Sequence, residues 1–366
     1  MRVPLPPRFA KLHAMGPRPS VSLLLPNRNN VRILDLTLER LADNTRYPDW
    51  ELVVVDDDSN DGSRELLRRW RDSGRIPSFT LLEREHSGVA ASLNAGLEAS
   101  SGEWVVSLDG DATVETPGWL GRMVDFALLD SRVAVVTAAV DMDNGRVHAH
   151  GVDMITPEGL HDRPNTITEP AGNRTAHTNV SQVLAKKTLG DPPQEVDASI
   201  GCCMLFQRAL ADELGGYDEV WNPVWFEDLD MSLAARRLGG KVFVLPEVRV
   251  SHRQGERGSR DPGADGTAPR PTLARRAAAR VLPRSAKEAI ARRMGLHELP
   301  PDVIARFHRK YEIWRAKWGF HPLNPDMDEV FARYGGTEVC WRYDDAMRQA
   351  GERIVDQAAR AAATSA

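Results

Sequence analysis

Two aspartates separated by one glycine, Asp109 and Asp111 in the stretch SLDGDA, follow a short apolar run at residues 103–106. Carboxylates this close repel each other unless a proton or a cation shares them. A hard divalent ion with oxygen ligands resolves the repulsion, and such an ion keeps waters and takes up substrate phosphates. Asp-x-Asp at a strand end therefore points to a metal–diphosphate site, while simple turn chemistry favours the same residues.

Two further clusters follow apolar runs in the same way: residues 26–29 (PNRN) and residues 56–58 (DDD). In an open α/β sheet, ligands bind beyond the carboxyl ends of the strands. Each cluster alone is ordinary turn chemistry, but three of them at strand ends argue for a site. A fourth lies at residues 221–255, WNPVWFEDLDMSLAARRLGGKVFVLPEVRVSHRQG. Acids at the start of a helix complement its dipole, which accounts for Asp228 and Asp230. It does not account for Trp221, Trp225 and Phe226 crowded beside Glu227 and Asp228. Aromatic faces beside carboxylates suit a sugar ring, whose C–H face stacks and whose hydroxyls hydrogen-bond. His252, at a strand end, reads either as a structural histidine or as a neutral imidazole completing a metal shell begun by the two aspartates.

The elements that must position these residues alternate. Residues 21–25, 51–55, 79–82, 103–108 and 133–139 read as short buried strands. Between them, helices are expected from Asn29-Asn30 to about Leu41, from Arg64, over residues 88–99, and from a Thr116-Pro117 start to about Leu129. Residues 142–173 are rich in Gly, Pro, Asp and His and read as a hairpin and loop region. Regular structure resumes at 198–206, followed by a helix at 228–238 closed by Gly239-Gly240, and two strands, 241–245 and 248–251, around Pro246. This alternation implies an α/β layered, mostly parallel sheet. No G-x-G-x-x-G follows the first strand and no G-x-x-x-x-G-K-[ST] occurs, so a glycine-rich phosphate loop is excluded.

The 366 residues carry a formal net charge of −5, which gives no nucleic-acid signature. Three cysteines, two adjacent (Cys202-Cys203), form no disulfide framework or zinc spacing, and a reducing cytoplasm fits them. The basic, proline-rich start lacks the apolar core of a signal peptide, and no apolar stretch is long enough to span a bilayer.

Taken in order, these motifs resemble glycosyltransferase family 2, the inverting GT-A enzymes that use nucleotide-sugar donors. VSLLLPNRNN is similar to the family's first strand and loop, and ELVVVDDDSNDGS to its second strand and turn. HSGVAASLNAGLEASSGEWVVSLDGDA resembles its helix, strand and Asp-x-Asp. The segment from IGCCMLF to VRVSH resembles its acceptor region. The resemblance implies a Rossmann-like GT-A domain with a helical C-terminal extension. It further implies that Pro26 and Asp57 hold the base and ribose, with Asn27 or Arg28 nearby. Asp109 and Asp111 would bind Mn2+ or Mg2+ and through it the diphosphate of a UDP-, dTDP- or GDP-sugar, with His252 a further ligand. Asp228 would be the general base, with Glu227 sharing that role or binding the acceptor, and Trp221 and Trp225 would line the acceptor side. A glycan, lipid-linked sugar or small glycoside would accept the sugar. Asp228 must be ionised, so it is expected to have a partner if buried. Asp58 stands where the family usually has glycine, and a slightly different turn is expected there. The hairpin GRVHAHGV offers His148 and His150 as surface residues or as a second metal site. The other readings are a sugar nucleotidyltransferase and a non-catalytic glycan-binding scaffold. The first lacks its glycine-rich loop here, and the second predicts broken motifs that are intact.

The expected division is an N-terminal extension (1–19), a GT-A domain (20–254), a linker (255–271) and a helical region (272–366). Residues 270–294 are basic with interleaved apolar residues. They read as a solvated helix or as a peripheral contact with an anionic membrane surface on the cytoplasmic side. Residues 307–331 place aromatic residues at helical spacing up to Trp318, which suggests packing; their Lys-Trp-Gly, residues 317–319, is similar to a segment that in some family members can close over the donor or acceptor. Cys202-Cys203 reads as core.

Overall fold

The computed structural model describes residues 18–142, 147–152, 193–253 and eight residues between 309 and 318. In chain order its elements are β1 (Val21–Asn27), α1 (Val31–Asn44), β2 (Trp50–Asp57), α2 (Ser63–Ser73), β3 (Phe79–Arg84), α3 (Val89–Glu98), β4 (Trp104–Leu108), β5 (Ala112–Val114), α4 (Trp119–Ala127), β6 (Val133–Met142), β7 (Val147–Ala149), β8 (Gln194–Val196), β9 (Cys203–Gln207), α5 (Arg208–Leu214), α6 (Glu227–Arg237) and β10 (Lys241–His252). The strands form one sheet in the order β3-β2-β1-β4-β9-β6-β10-β5, with β7 beside β6 and β8 beside β10. Strands β3, β2, β1, β4, β6 and β10 share one direction, and β9 runs against them between β4 and β6. The architecture is the α/β, mostly parallel sheet that the alternation predicts.

Alternate residues of each strand feed opposite layers, as the two-residue period requires. Leu23, Leu25 and Val54 pack with Leu34 and Leu38 of α1 and Leu67 of α2. Leu24, Val53 and Val55 pack on the other side with Ala90 and Leu93 of α3 and Leu210 of α5. Because the common-direction strands end together, β1, β2, β4 and β10 deliver Asn27, Asp57, Asp109 and His252 to one rim of the sheet. The reversed β9 brings its first residues, after Gly201 and Cys202, to the same rim.

Several boundaries differ from the sequence reading. Helix α4 begins after Gly118, whose φ is +69°. Thr116 does not cap it: Thr116 Oγ1 accepts from Arg249 N at 2.9 Å and ties the turn to β10. Helix α1 begins where expected, but the Asn30 side chain makes no cap. Asp61 Oδ2 accepts from Val31 N and Ser63 Oγ from Asn30 N, so the cap comes from the next loop. Pro246 does not divide β10. A register shift against β6 between Leu245 and Arg249 absorbs it, as a bulge permits for a residue without an N–H. His148 and His150 are buried rather than at the surface, because β7 pairs with β6 inside the fold.

The described residues between 309 and 318 are helical and belong to the core: Ile313, Trp314 and Trp318 are buried. No helix of the described residues is long and apolar enough to cross a membrane. The basic stretch 270–294 and the linker 255–271 lie outside the described residues.

Candidate functional site

The turn after β2 is built by Asp56 and Ser59. Asp56 is fully buried and accepts from Asn27 Nδ2 (2.9 Å), Ser59 N (3.0 Å) and Arg64 Nε (2.7 Å). It locks the ends of β1 and β2 together. Asp57, one residue on, points to the loop before α3. Its carboxylate accepts from Ser87 N (2.7 Å) and Gly88 N (3.0 Å), and His86 Nδ1 lies 2.7 Å away. Asp57 therefore organises residues 86–88. The sequence reading did not single out His86, and its position just ahead of Ser-Gly was the signal available. Asp58 takes φ +66°, the left-handed conformation that a glycine adopts without strain and that aspartate tolerates better than most residues. Pro26 and Arg28 are half-buried beside Asn27, whose Oδ1 is buried and makes no hydrogen bond.

Asp109, Asp111 and His252 come together as their spacing and chemistry suggest. His252 Nε2 lies 3.2 Å from Asp111 Oδ1 and 3.6 Å from Asp109 Oδ2. Asp111 is fully buried, while the Asp109 side chain is 31 % exposed and faces outward. His252 Nε2 is buried without a hydrogen bond of its own. One ligand atom from each of the three residues lies within 4.8 Å of the others. Two carboxylates and one imidazole nitrogen make a donor set suited to a divalent ion of Mg2+ or Mn2+ type. Gly110, between the aspartates, allows the close approach. A Cβ there would stand 3.1 Å from Asn27 Oδ1 and from Asn30 Nδ2.

Glu227 and Asp228 open α6. Asp228 is half-buried and held by two backbone amides: Oδ2 accepts from Gly201 N at 2.6 Å and Oδ1 from Leu229 N at 2.8 Å. Glu227 Oε2 is buried with no hydrogen bond. Burial pushes both carboxyl groups above the ordinary carboxylate range. The Asp228 charge adds to this at Glu227, and the Asp109 charge adds to it at Asp228. The two acidic groups share one support, residues 201–202. Gly201 N binds Asp228, Cys202 O accepts from Asp109 N (3.3 Å), and Cys202 Sγ lies 3.3 Å from His252 Nδ1.

Trp221 is buried at 0 % exposure, not set on an open face. Its ring stacks on Phe226 (centroids 5.4 Å apart, planes at 19°) and meets Trp314 at 6.0 Å. Its position places it under the site as packing. Trp225 is partly exposed, with φ +76°, and Phe226 follows with φ +80°. Lys310 donates from Nζ to the carbonyls of Trp221 and Trp225. Lys317 Nζ reaches Asp218 and Asp230, and Trp318 Nε1 donates to Asp230 Oδ1 (2.9 Å). Burial works against the Lys317 charge, but Asp230 and Asp218 outweigh it and hold its pKa above the usual value. Asn222 Oδ1 accepts from Ala90 N and Ala91 N, capping α3 from the acidic segment. The sequence reading did not single out Asn222 or Lys310, and it noted Lys317 only within a Lys-Trp-Gly segment, because their partners are distant in the chain.

The chain is 28% identical over 321 residues to the uncharacterized protein y4gI of Sinorhizobium fredii, covering 87% of this chain and 30% of that one. It is 24% identical over 256 residues to the O-antigen biosynthesis protein RfbC of Myxococcus xanthus, covering 69% of this chain and 18% of that one. The chain thus spans under a third of either relative. A mannosyltransferase from Pyrobaculum calidifontis, solved with GDP-Man and Mn2+, aligns with a TM-score of 0.46 and 21% identity over 97% of this chain and 85% of that one. The model of glycosyl transferase family 2 matches residues 22–215, more than half of the sequence, and spans the strand-end turns and the Asp-x-Asp just described. The chain belongs to glycosyl transferase family 2.

Proposed function

We propose that the chain is an inverting, metal-dependent glycosyltransferase that moves a sugar from a nucleoside-diphosphate sugar to a hydroxyl of a saccharide, lipid-linked or small glycoside acceptor. The observation that carries this reading is the meeting of two acidic groups on one rim, Asp109-Asp111-His252 and Glu227-Asp228, joined by residues 201–202. One group fits a divalent ion and the other offers a base.

In this reading Asp111 and His252, backed by the more exposed Asp109, hold Mn2+ or Mg2+. When bound, the ion offsets negative charge on a leaving diphosphate. Pro26, Asn27 and Arg28 border the nucleotide, and Asp57 acts there through the 86–88 loop it holds. Asp228, ionised and fixed by two backbone amides, takes the proton from the acceptor hydroxyl. The acceptor oxygen attacks the anomeric carbon from the face opposite the nucleotide, which inverts the configuration. Glu227 stands beside the acceptor, and Trp225 offers the partly exposed aromatic surface there. Trp221 supports this surface from below. A role in O-antigen-like glycan assembly agrees with the name of the Myxococcus xanthus relative.

A thermal-shift series tests the reading, using UDP, GDP, dTDP and CDP with and without Mn2+. A nucleotide at a hundred times its dissociation constant stabilises by about 2.7 kcal/mol. The expected result is stabilisation by one nucleotide that needs the metal and is lost in Asp111→Ala. No stabilisation by any nucleotide with metal would overturn the proposal.

A further inference from the structure

His252 uses only one ring edge toward the two aspartates. Its other nitrogen, Nδ1, faces Cys202 Sγ at 3.3 Å. The His148 ring packs edge-on against the same imidazole, with centroids 5.0 Å apart and planes at 69°. His148, Cys202 and His252 each place one ligand atom within 4.8 Å of the others. All three are buried, at 9 %, 3 % and 4 % exposure. Tetrahedral zinc, with Zn–S about 2.3 Å and Zn–N about 2.0–2.1 Å, sets its ligand atoms roughly 3.3–3.6 Å apart, so small side-chain shifts close this set around an ion.

We infer that His148, Cys202 and His252 form a second, sulfur-bearing cation site for Zn2+ or a similar thiophilic ion, and that its occupancy excludes the hard ion from Asp109 and Asp111. The donor chemistry separates the two positions. Carboxylates select Mg2+ and Mn2+, whereas a thiolate with two imidazoles selects zinc. Their exclusion follows from the shared ring. A cation on each nitrogen of one imidazole requires the ring to lose both protons and sets two dications across a single ring.

Binding is a proton-for-metal exchange. A cysteine thiol at its ordinary proton affinity is mostly protonated near neutral pH, so zinc must displace that proton. The entering ion forms the S–Zn bond as the S–H proton leaves to solvent, and no oxidant or reductant is involved. The site itself stands on the three residues alone. The exclusion rests also on the proposed role of Asp109, Asp111 and His252.

The test uses the full chain, reduced and stripped of metal, titrated with Co2+ as a coloured stand-in for zinc and then with Zn2+. One equivalent of Co2+ is expected to give a thiolate-to-cobalt charge-transfer band that persists in Cys203→Ala and Asp111→Asn and vanishes in Cys202→Ala. His148→Ala is expected to weaken Zn2+ binding by at least the roughly 10–100-fold that loss of an outer-shell partner costs. Absence of the band, its survival in Cys202→Ala, or unchanged affinity in a folded His148→Ala chain would overturn the site. His148→Gln, judged by its melting curve without metal, serves if the alanine variant does not fold. Zn2+ is also expected to abolish the Mn2+-dependent stabilisation by nucleotide in the native chain but not in Cys202→Ala. Persistence of that stabilisation at saturating Zn2+ would overturn the exclusion. If nucleotide and Mn2+ never stabilise the native chain, the transferase reading fails, while the cobalt band still decides the sulfur site.

Discussion

Glu227 and Asp228 are held where charge is disfavoured, and two opposite pH dependences follow. Burial raises both carboxyl groups, so between roughly pH 4 and the raised values the folded chain holds more protons than the unfolded one. Stability from these groups is therefore fully present at low pH and declines as pH rises through that window. Glu227→Gln is expected to melt above the native metal-free chain at pH 8, with the difference closing toward pH 4. A native chain as stable as the variant at pH 8 would show that the charge is neutralised by another group. Catalysis runs the other way, because a base must be ionised. The acidic limb of the rate profile should lie above the ordinary carboxylate range, and Asp228→Asn should cost on the order of 10²–10⁴-fold in rate. The acids stood out in the sequence only as repeated clusters after apolar runs, since turn chemistry favours each cluster alone, and His252 stood out by its place at a strand end. Trp221 was not, since nothing in an aromatic-rich segment says which ring stacks inward. His148 was not, since a short strand of three residues leaves no alternation to read.

At the scale of elements, the acidic segment 218–230 is clamped from two sides. Lys317 neutralises Asp230, which is 5 % exposed, while Asp218 is a partly exposed partner. Lys317→Met leaves a buried carboxylate without its cation, at a cost of about 3 kcal/mol. Urea unfolding of Lys317→Met, Asp230→Asn and the double variant closes the cycle. The double variant is expected to recover part of the loss, and purely additive losses would mean the pair is not coupled. On the opposite side, Gly88 lets the loop before α3 meet the segment. Its φ is +100°, and a Cβ there would stand 2.6 Å from Asn222 Oδ1 and 2.8 Å from Pro223 Cα. Gly88→Ala is expected to cost about 1–3 kcal/mol, read from the unfolding midpoint. The main strands and helices were legible from apolar runs and periodicity. The reversal of β9 was not, because a buried strand reads the same in either direction. The cap of α1 was not, because its acceptors come from residues 61 and 63.

For the whole molecule, the helical residues between 309 and 318 matter more than their distance in the chain suggests. Trp314 packs on Trp221 and Phe226 and is backed by Trp318, extending the packing under the acidic rim. We propose that the catalytic unit comprises residues 20–254 together with this stretch. A chain ending at 254 is expected to melt lower than one ending at 320 and to bind a dye that reports exposed apolar surface. Equal melting of the two would make the stretch dispensable. The sequence reading saw packing in its aromatic spacing but had no way to name the surface it packs on. One feature of that surface bears on how the protein could change over generations. Trp225 and Phe226 are bulky residues in consecutive left-handed conformations, which cost of order 1–3 kcal/mol each and persist only when their surroundings enforce them. Replacing Trp225 by glycine would relax the backbone and remove the aromatic surface beside the acids in the same step. Selection for robustness alone would favour that exchange, and the aromatic surface beside the acids is what the chain would give up.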